Sequence, residues 1–552
     1  MKKVLILIIL SLVNLAYSQV LPSGFKLGKI ALEPNAVNQK DNIISPKSFK
    51  FDLTNPTPST SIISNFISDI IVYGDTIWFG TGKGISRTTN NGITFQNFYG
   101  LPPFNEDDVA GIAIYNNIVV VSTATSQDIG NEKDVPIGTG IKVSTDYGKN
   151  WKSYPQPVES FPDGYDTIYY GNNAITALKV TTGAKNLSYD ILVTRKNLTS
   201  DSVVIWITSW AGEIRKSIDL GEHFTRVILP PDNLDSIYWG GNYTGPNAFT
   251  YDPRDNVGND NHKGFSLSAE NDSTIYVGTA GGINKSTDWG ISWRKYNYSN
   301  TGSGVSGNFV VALNVQRYGN KSIVWAATNI GGGGGNQFTG FSYTTNSGIN
   351  WANTLAEDGI FNHNMGFKDS LVYCATDNGI WRSYFTPPNF SWSKPSVIYD
   401  PDIRDEIHTN LFYAVDSKGD SIWVGSGDGL ARTRERGSAW TERWKIFRAY
   451  QPLTTTQETY AAPNPFSPKD EIVRIFFKTG KTSANVTVRI FDFGMNPVRT
   501  VLQNASRTNP DVIWAQWDGR RDDGSLSANG VYFYRIEVDN DMTMWGKILL
   551  LQ

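Results

Sequence analysis

One octapeptide recurs along this chain, and it limits the folds available more than any other feature. Ser/Thr-x-Asp/Asn-x-Gly-x-x-aromatic occurs as Thr88-x-Asn90-x-Gly92-x-x-Phe95, Ser144-x-Asp146-x-Gly148-x-x-Trp151 and Ser217-x-Asp219-x-Gly221-x-x-Phe224. It returns as Ser286-x-Asp288-x-Gly290-x-x-Trp293 and Thr344-x-Asn346-x-Gly348-x-x-Trp351, and with Glu for Asp as Thr433-x-Glu435-x-Gly437-x-x-Trp440. Shortly before three of these copies lies a second pattern. Ile77-Trp78-Phe79-Gly80-Thr81-Gly82-Lys83-Gly84-Ile85 matches Ile275–Ile283 and Ile422–Leu430, and a basic residue follows two positions on, Arg87, Lys285 or Arg432. This reads as strand, glycine turn, strand. The Asp or Asn oxygen is suited to accept turn N–H groups, the Gly permits a backbone that a Cβ opposes, and the aromatic packs beneath the hairpin. The repeated acids are therefore read as structural.

The octapeptide resembles the Asp-box, or BNR repeat, of β-propellers in sialidases, sortilin-like receptors, some glucanases and photosystem assembly factors. The Ile-Trp-Phe-Gly-Thr-Gly strand is similar to repeats of two-component regulator propellers. In such families the box staples the outer strands of a blade, remote from the ligand site. Further strand signals at 118–123, 204–208, 324–328 and 372–376 bring the expected blade count to seven. Seven repeats over 55–450 average about 57 residues, which leaves room for inserted loops around a four-stranded blade of roughly 40 to 50. The predicted fold is all-β, a seven-bladed β-propeller followed by a small sandwich.

Ahead of the repeats, Lys2 and Lys3 precede the apolar run Val4–Val13, and Ala16-Tyr17-Ser18 offers a small-x-small cleavage site. Residues 1–18 read as a secretory signal peptide, and the rest of the chain has no apolar run long enough to span a bilayer. The expected location is secreted or at a bacterial cell surface. Residues 19–54 show no repeat and are a candidate ring-closing strand. The single cysteine, Cys374, excludes an internal disulfide framework and reads as a buried apolar residue. The net charge of −3 excludes a globally basic nucleic-acid binder.

Residues 451–459 form a polar linker, and 460–552 carry six or seven short strands in a sandwich pattern. Pro463-Asn464-Pro465-Phe466, Ile490–Gly494, Trp517-Asp518-Gly519 and Gly530–Ile536 resemble the immunoglobulin-like domain of flagellar hook-capping proteins. Related modules close many exported proteins and act as sorting signals for type IX secretion. The resemblance implies the secretion machinery as a partner through this domain.

Chemistry is sparse. The four histidines are scattered and form no HExxH motif. The Arg-Ile-Pro motif of sialidases is missing. Asp107, Asp108, Asp402, Asp405 and Glu406 are candidates for a glucanase-like carboxylate pair. Asp252, Asp255 and Asp260, in an Asn-rich insertion, are candidates for Ca²⁺, the one cofactor the sequence suggests. Most tryptophans are absorbed by the repeat, leaving Trp210, Trp239, Trp289 and Trp392 as possible binding platforms. Trp239 and Tyr243, which flank Gly240-Gly241, are with Trp210 the expected ligand-binding residues. The sequence favours a binding module for an extracellular protein or glycan over an enzyme. A polysaccharide-acting glycoside hydrolase is the alternative.

Overall fold

The computed structural model describes residues 59–552, except 101, 131, 161–163, 198–201, 253, 255–257, 357–359, 452, 470 and 540. The expected signal peptide and the 19–54 segment lie outside the described residues. The chain is all-β, with only short 3₁₀ turns among the described residues, at Gly245–Asn247 and Asp260–His262. It divides into two compact units. The first runs to Tyr399 and resumes at Asn410–Arg448, and the second comprises Asp400–Thr409 and Ala449–Gln552.

The first unit is a β-propeller. Its antiparallel meander sheets begin with the strands Ile67–Tyr73, Asp108–Tyr115, Asp190–Arg195, Gly264–Ala269, Phe309–Tyr318, Asn362–Lys368 and Phe412–Lys418. Each of these first strands neighbours that of the next sheet, and the last neighbours the first, so the cycle closes. The second strand of each sheet is sandwiched between adjacent sheets. Thr76–Thr81, Val203–Ser209, Leu371–Thr376 and Ser421–Ser426 are buried at every position. A strand buried on both faces needs a continuous apolar run, which is why the Ile-Trp-Phe-Gly type of segment shows no alternation.

The repeated octapeptide supplies the lock between sheets. In the second sheet the Ser144 hydroxyl donates to Asp146 and accepts the Gly148 N–H, while Asp146 Oδ1 accepts the N–H groups of Lys149 and Asn150. The Asp219 and Asp288 copies repeat this pattern. Tyr147, Leu220, Trp289, Ser347 and Asn91, just before the glycines, all have left-handed φ. The turn so formed presses on the preceding sheet. A Cβ on Gly148 would stand 2.6 Å from the Trp78 ring, and one on Gly92 would stand 2.9 Å from Trp423.

Arg87 lies over the Trp78 ring at 4.9 Å and donates to the Tyr147 carbonyl at 2.7 Å. Lys285 repeats this with Tyr276 and the Ser347 carbonyl. Arg432 does so with Trp423 and the Asn91 carbonyl, which locks the last sheet to the first. Two positions depart from the pattern. The sixth sheet has three strands and no octapeptide, and Phe385 and Phe390 pack on Trp325 in its place. In the seventh, Glu435 has no bond to Thr433. Its carboxylate accepts both Arg382 and Tyr373 from the sixth sheet.

The second unit is a two-layer sandwich. Thr459–Ala462, Val473–Lys478 and Val512–Trp517 form one sheet, and Pro497–Arg507, Ala484–Phe491, Gly530–Val538 and Met542–Leu550 form the other. Ile475, Phe477 and Trp517 from the first layer meet Val488, Tyr532 and Ile548 from the second in one core. Residues 400–409, which fall within the predicted propeller segment, cluster with this unit, where Asp405 meets Arg474 at 3.6 Å. The 451–459 stretch is anchored within the same unit, since Leu453 packs with Phe476 and Val512.

The interlock predicts unequal costs for equivalent glycines. Gly148→Ala combines strain at φ +81° with overpacking against Trp78, and should cost about 2–4 kcal/mol. Gly437→Ala meets no atom within 4 Å and should cost about 1 kcal/mol, from its φ of +100° alone. Denaturant unfolding of the two variants checks the difference, and equal losses would contradict the interlock.

Candidate functional site

In six of the seven first strands the register slips by one residue near the start, a β-bulge. A bulge leaves one residue unpaired and re-aims its side chain. The residues passed over are Ser68, Ala110, Phe265, Val311, His363 and Tyr413, and all of them line a single cavity of about 250 Å³. The lining comes from the first strand of every sheet, so the cavity lies on the propeller axis.

Three carboxylates face this cavity, each bridging two strands. Asp190 accepts the Ile191 N–H at 2.7 Å and, from the next sheet, the Leu267 N–H at 2.7 Å. Asp416 accepts the Ser417 N–H at 2.7 Å and the Val72 N–H of the first sheet at 2.8 Å. Asp69 accepts the Ile70 N–H at 2.9 Å and the Ile112 N–H. Asn314 makes the corresponding clasp without charge, accepting the Val315 N–H and donating to the Met365 carbonyl. Burial raises Asp69 and Asp416 to about 7 and Asp190 to about 8, and the Asp69 charge adds to the shift of the other two.

An aromatic belt runs around the same axis. Phe66 meets Tyr413 at 5.0 Å, and Tyr413 meets His363 at 4.9 Å. The belt continues through Phe361 and Phe309 to Phe265, which touches Tyr189 at 5.2 Å. His363 donates its Nε2–H to the Asp377 carboxylate at 2.6 Å. On the second sheet, burial and the adjacent Asp107 raise Asp108 to about 8.

The sequence-predicted residues fall in separate places. Trp210 stands beside the belt, edge-on to Phe265 at 5.7 Å with the Lys263 ammonium 5.1 Å above its ring. Trp239 lies in a different region, in a turn after the strand Ser236–Ile237, against an accessory sheet formed by Tyr165–Tyr170, Asn173–Leu178 and Thr250–Tyr251. There it is 56% exposed, with Tyr170 against its edge. Tyr243 is buried, and its hydroxyl is bonded to both the N–H and the carbonyl of Tyr238. Trp289 is an octapeptide tip, and Trp392 stacks on Phe390.

Among the expected carboxylates, Asp402, Asp405 and Glu406 belong to the second unit, and Asp107 and Asp108 to the first. In the Asn-rich insertion, Asp252 pairs with Arg254 and Asp260 with Lys263, while Asp255 lies outside the described residues. Asp69, Asp190 and Asp416 were missed by sequence reasoning. Their signal is a polar residue at either of two positions of the first strand, opposite Gly80, Thr208 and Ala375 at Asp69, Asp190 and Asn364, and opposite Trp325 and Trp423 at Asn314 and Asp416.

No family model matches the chain. No curated protein matches it. Among solved structures, an ancestral GH74 enzyme aligns over 89% of this chain and 62% of its own length, at 12% identity and TM-score 0.46. The chain therefore spans less than two thirds of that enzyme. The extracellular domain of a putative one-component system from B. thetaiotaomicron aligns over 88% of this chain and 80% of its own, at 12% identity and TM-score 0.31. PorZ, a surface component of the type IX secretion system of Porphyromonas gingivalis, aligns over 88% and 87%, at 12% identity and TM-score 0.16. No helix among the described residues is long and apolar enough to cross a membrane.

The site predicts how stability varies with pH. Between about pH 4 and about pH 8 the native state holds protons on Asp69, Asp190 and Asp416 that the unfolded chain has released, so stability falls as pH rises. Asp146 and Asp219 act in the opposite sense at acid pH. Although burial opposes it in Asp146, turn hydrogen bonds led by those from Asn150 hold that carboxyl at about 2; the His223 N–H leads in holding Asp219 there. Their contribution is lost as pH falls from about 4 towards 2. Thermal melts should peak near pH 5 and decline by several degrees by pH 8.5. A Tm that rises across pH 5–8.5 would contradict the assignment.

Proposed function

We propose that this chain is an exported, surface-associated binding protein, a seven-bladed β-propeller stapled by Asp-boxes and followed by an immunoglobulin-like domain for secretion or attachment. Its ligand is an extracellular protein or glycan that engages the axial end of the propeller. One observation carries the reading. The bulges in separate strands cost ladder hydrogen bonds, yet their extra residues converge on a common cavity. Stability alone does not call for such a repeated cost, whereas a shaped recessed surface with aromatic and polar groups suits ligand recognition. Trp210 beside the belt extends this surface. Trp239, exposed beside the accessory sheet, supplies a second contact for a large ligand.

A specific observation keeps glycoside hydrolysis as the second reading. Asp108 is held protonated at neutral pH beside Asp107, the kind of difference that separates a general acid from a carboxylate. The deciding experiment is a glycan-array and surface-protein binding screen of the full mature chain, with reducing sugar assayed on every hit. Binding without sugar release, weakened at least tenfold by Trp210→Ala, is the expected outcome. Sugar release abolished by Asp108→Asn would overturn the binding-module reading in favour of hydrolysis.

A further inference from the structure

Resting on the axial reading above, we propose that the cavity receives a cation on an apolar stem, an alkylammonium or guanidinium. The head would sit among Asp69, Asp190 and Asp416, and the stem would lie against Phe66, Phe265 and Tyr413.

The polar inventory of the cavity is one-sided. Among the described residues no Lys or Arg lines it. Ser68 spends its hydroxyl on the Val109 carbonyl, and the Asn314 amide is used on both sides. The charge in the lining lies on three carboxylates, and an ionised carboxylate can accept about four hydrogen bonds, of which the two strand clasps occupy only part. Once its carboxylates ionise, such a lining repels anions and attracts cations.

The charge is also more than the fold requires. Asn314 joins its strand to the next with a neutral amide, so bridging adjacent sheets does not demand carboxylates at 69, 190 and 416. Nor do the surroundings suit a bare metal ion. No group of three His, Cys, Asp or Glu among the described residues is placed to hold one. The rest of the lining is apolar and aromatic, including Ile70, Leu192, Leu267 and Val415 beside the rings. Aromatic faces attract organic cations and shelter a hydrocarbon stem. The volume equals that of roughly eight waters at about 30 Å³ each, enough for one amine with a short chain.

The other titratable lining groups are His363, paired with Asp377, and the phenols of Tyr189 and Tyr413, both of which burial pushes up. An alkylammonium keeps its charge throughout pH 6–8.5, so the carboxylates control its binding. Their ionisation, half complete near pH 7 for Asp69 and Asp416 and near pH 8 for Asp190, should tighten it across that range.

The test is calorimetric titration of the full mature chain with n-butylammonium, with n-butanol as the neutral isostere. Saturable binding of the ammonium alone, tightening between pH 6 and pH 8.5, is expected. Asp190→Asn should weaken it at least tenfold. Ala110→Phe, which fills the cavity and leaves every carboxylate clasp in place, should abolish it in a chain whose melting profile shows it folded. Equal binding of n-butanol, no saturable binding at pH 8.5, or full binding by folded Ala110→Phe would each overturn the proposal. A Gly-Gly-Lys-Gly-Gly peptide separates the two sources of such a cation. Binding tighter than butylammonium assigns the cavity to a lysine side chain of a partner, and weaker binding assigns it to a free amine. If Ala110→Phe loses butylammonium but keeps the protein or glycan ligand, the cation site stands and the axial reading of that ligand falls.

Discussion

The propeller depends on a glycine pressed onto an aromatic ring of the neighbouring sheet. Four-stranded meanders cannot bury both faces alone, and the large flat side chains at their centres need a close, flat partner. The octapeptide provides it by turning the backbone through two successive left-handed residues, so that a glycine rather than a side chain lies on the ring. The cation at 87, 285 or 432 completes the joint. Its charged head lies over the ring and reaches the carbonyl of that same turn. The bond is charge-assisted and screened from water, which makes it stronger than a comparable contact on the surface. Because Arg432 makes this joint with Asn91, the closure of the cycle uses the same chemistry as the joints at Arg87 and Lys285.

With the outer strands locked, the inner ends carry a different burden. First strands crowd the axis, and a bulge in six of the seven relieves the crowding by bending the strand and turning an extra residue inward. The price is unpaired backbone near the axis, and Asp69, Asp190 and Asp416 meet it by accepting N–H groups from two sheets each. Those bonds lower the cost of burying the carboxylates without cancelling it. The axis thus combines a rigid frame with groups whose ionisation is held back by their surroundings, a combination typical of binding sites.

Legibility followed periodicity. The strands around Trp78, Trp206, Trp325 and Trp423 were plain in the sequence, since burial on both faces requires continuous apolar runs and the octapeptide marks each following turn. The axial residues were hidden because a bulge changes facing by one position, and nothing in Ser68, Ala110 or Val311 announces it. Glu435 looked like a degenerate copy of the repeated acid, but with one more methylene it reaches Arg382 and Tyr373 as well as the Gly437 N–H of its own turn. Tyr243 looked like a ligand platform because it stands in a glycine-rich insertion. The chain folds back there, and Tyr238 takes up the hydroxyl. Asp402 and Asp405 were assigned by proximity in sequence to the propeller, whereas residues 400–409 pack in the other unit, where no local pattern could have placed them.

The most direct test of a ring held by repeated glycine–aromatic joints is native-state hydrogen exchange of the full chain, resolved by sheet. The account predicts that the second-strand amides at 76–81, 203–209, 275–279, 321–329, 371–376 and 421–426 exchange together, with one common opening free energy, and that the first and last sheets are as protected as the rest. Independent opening of individual sheets, or early exchange confined to the first and seventh, would contradict it.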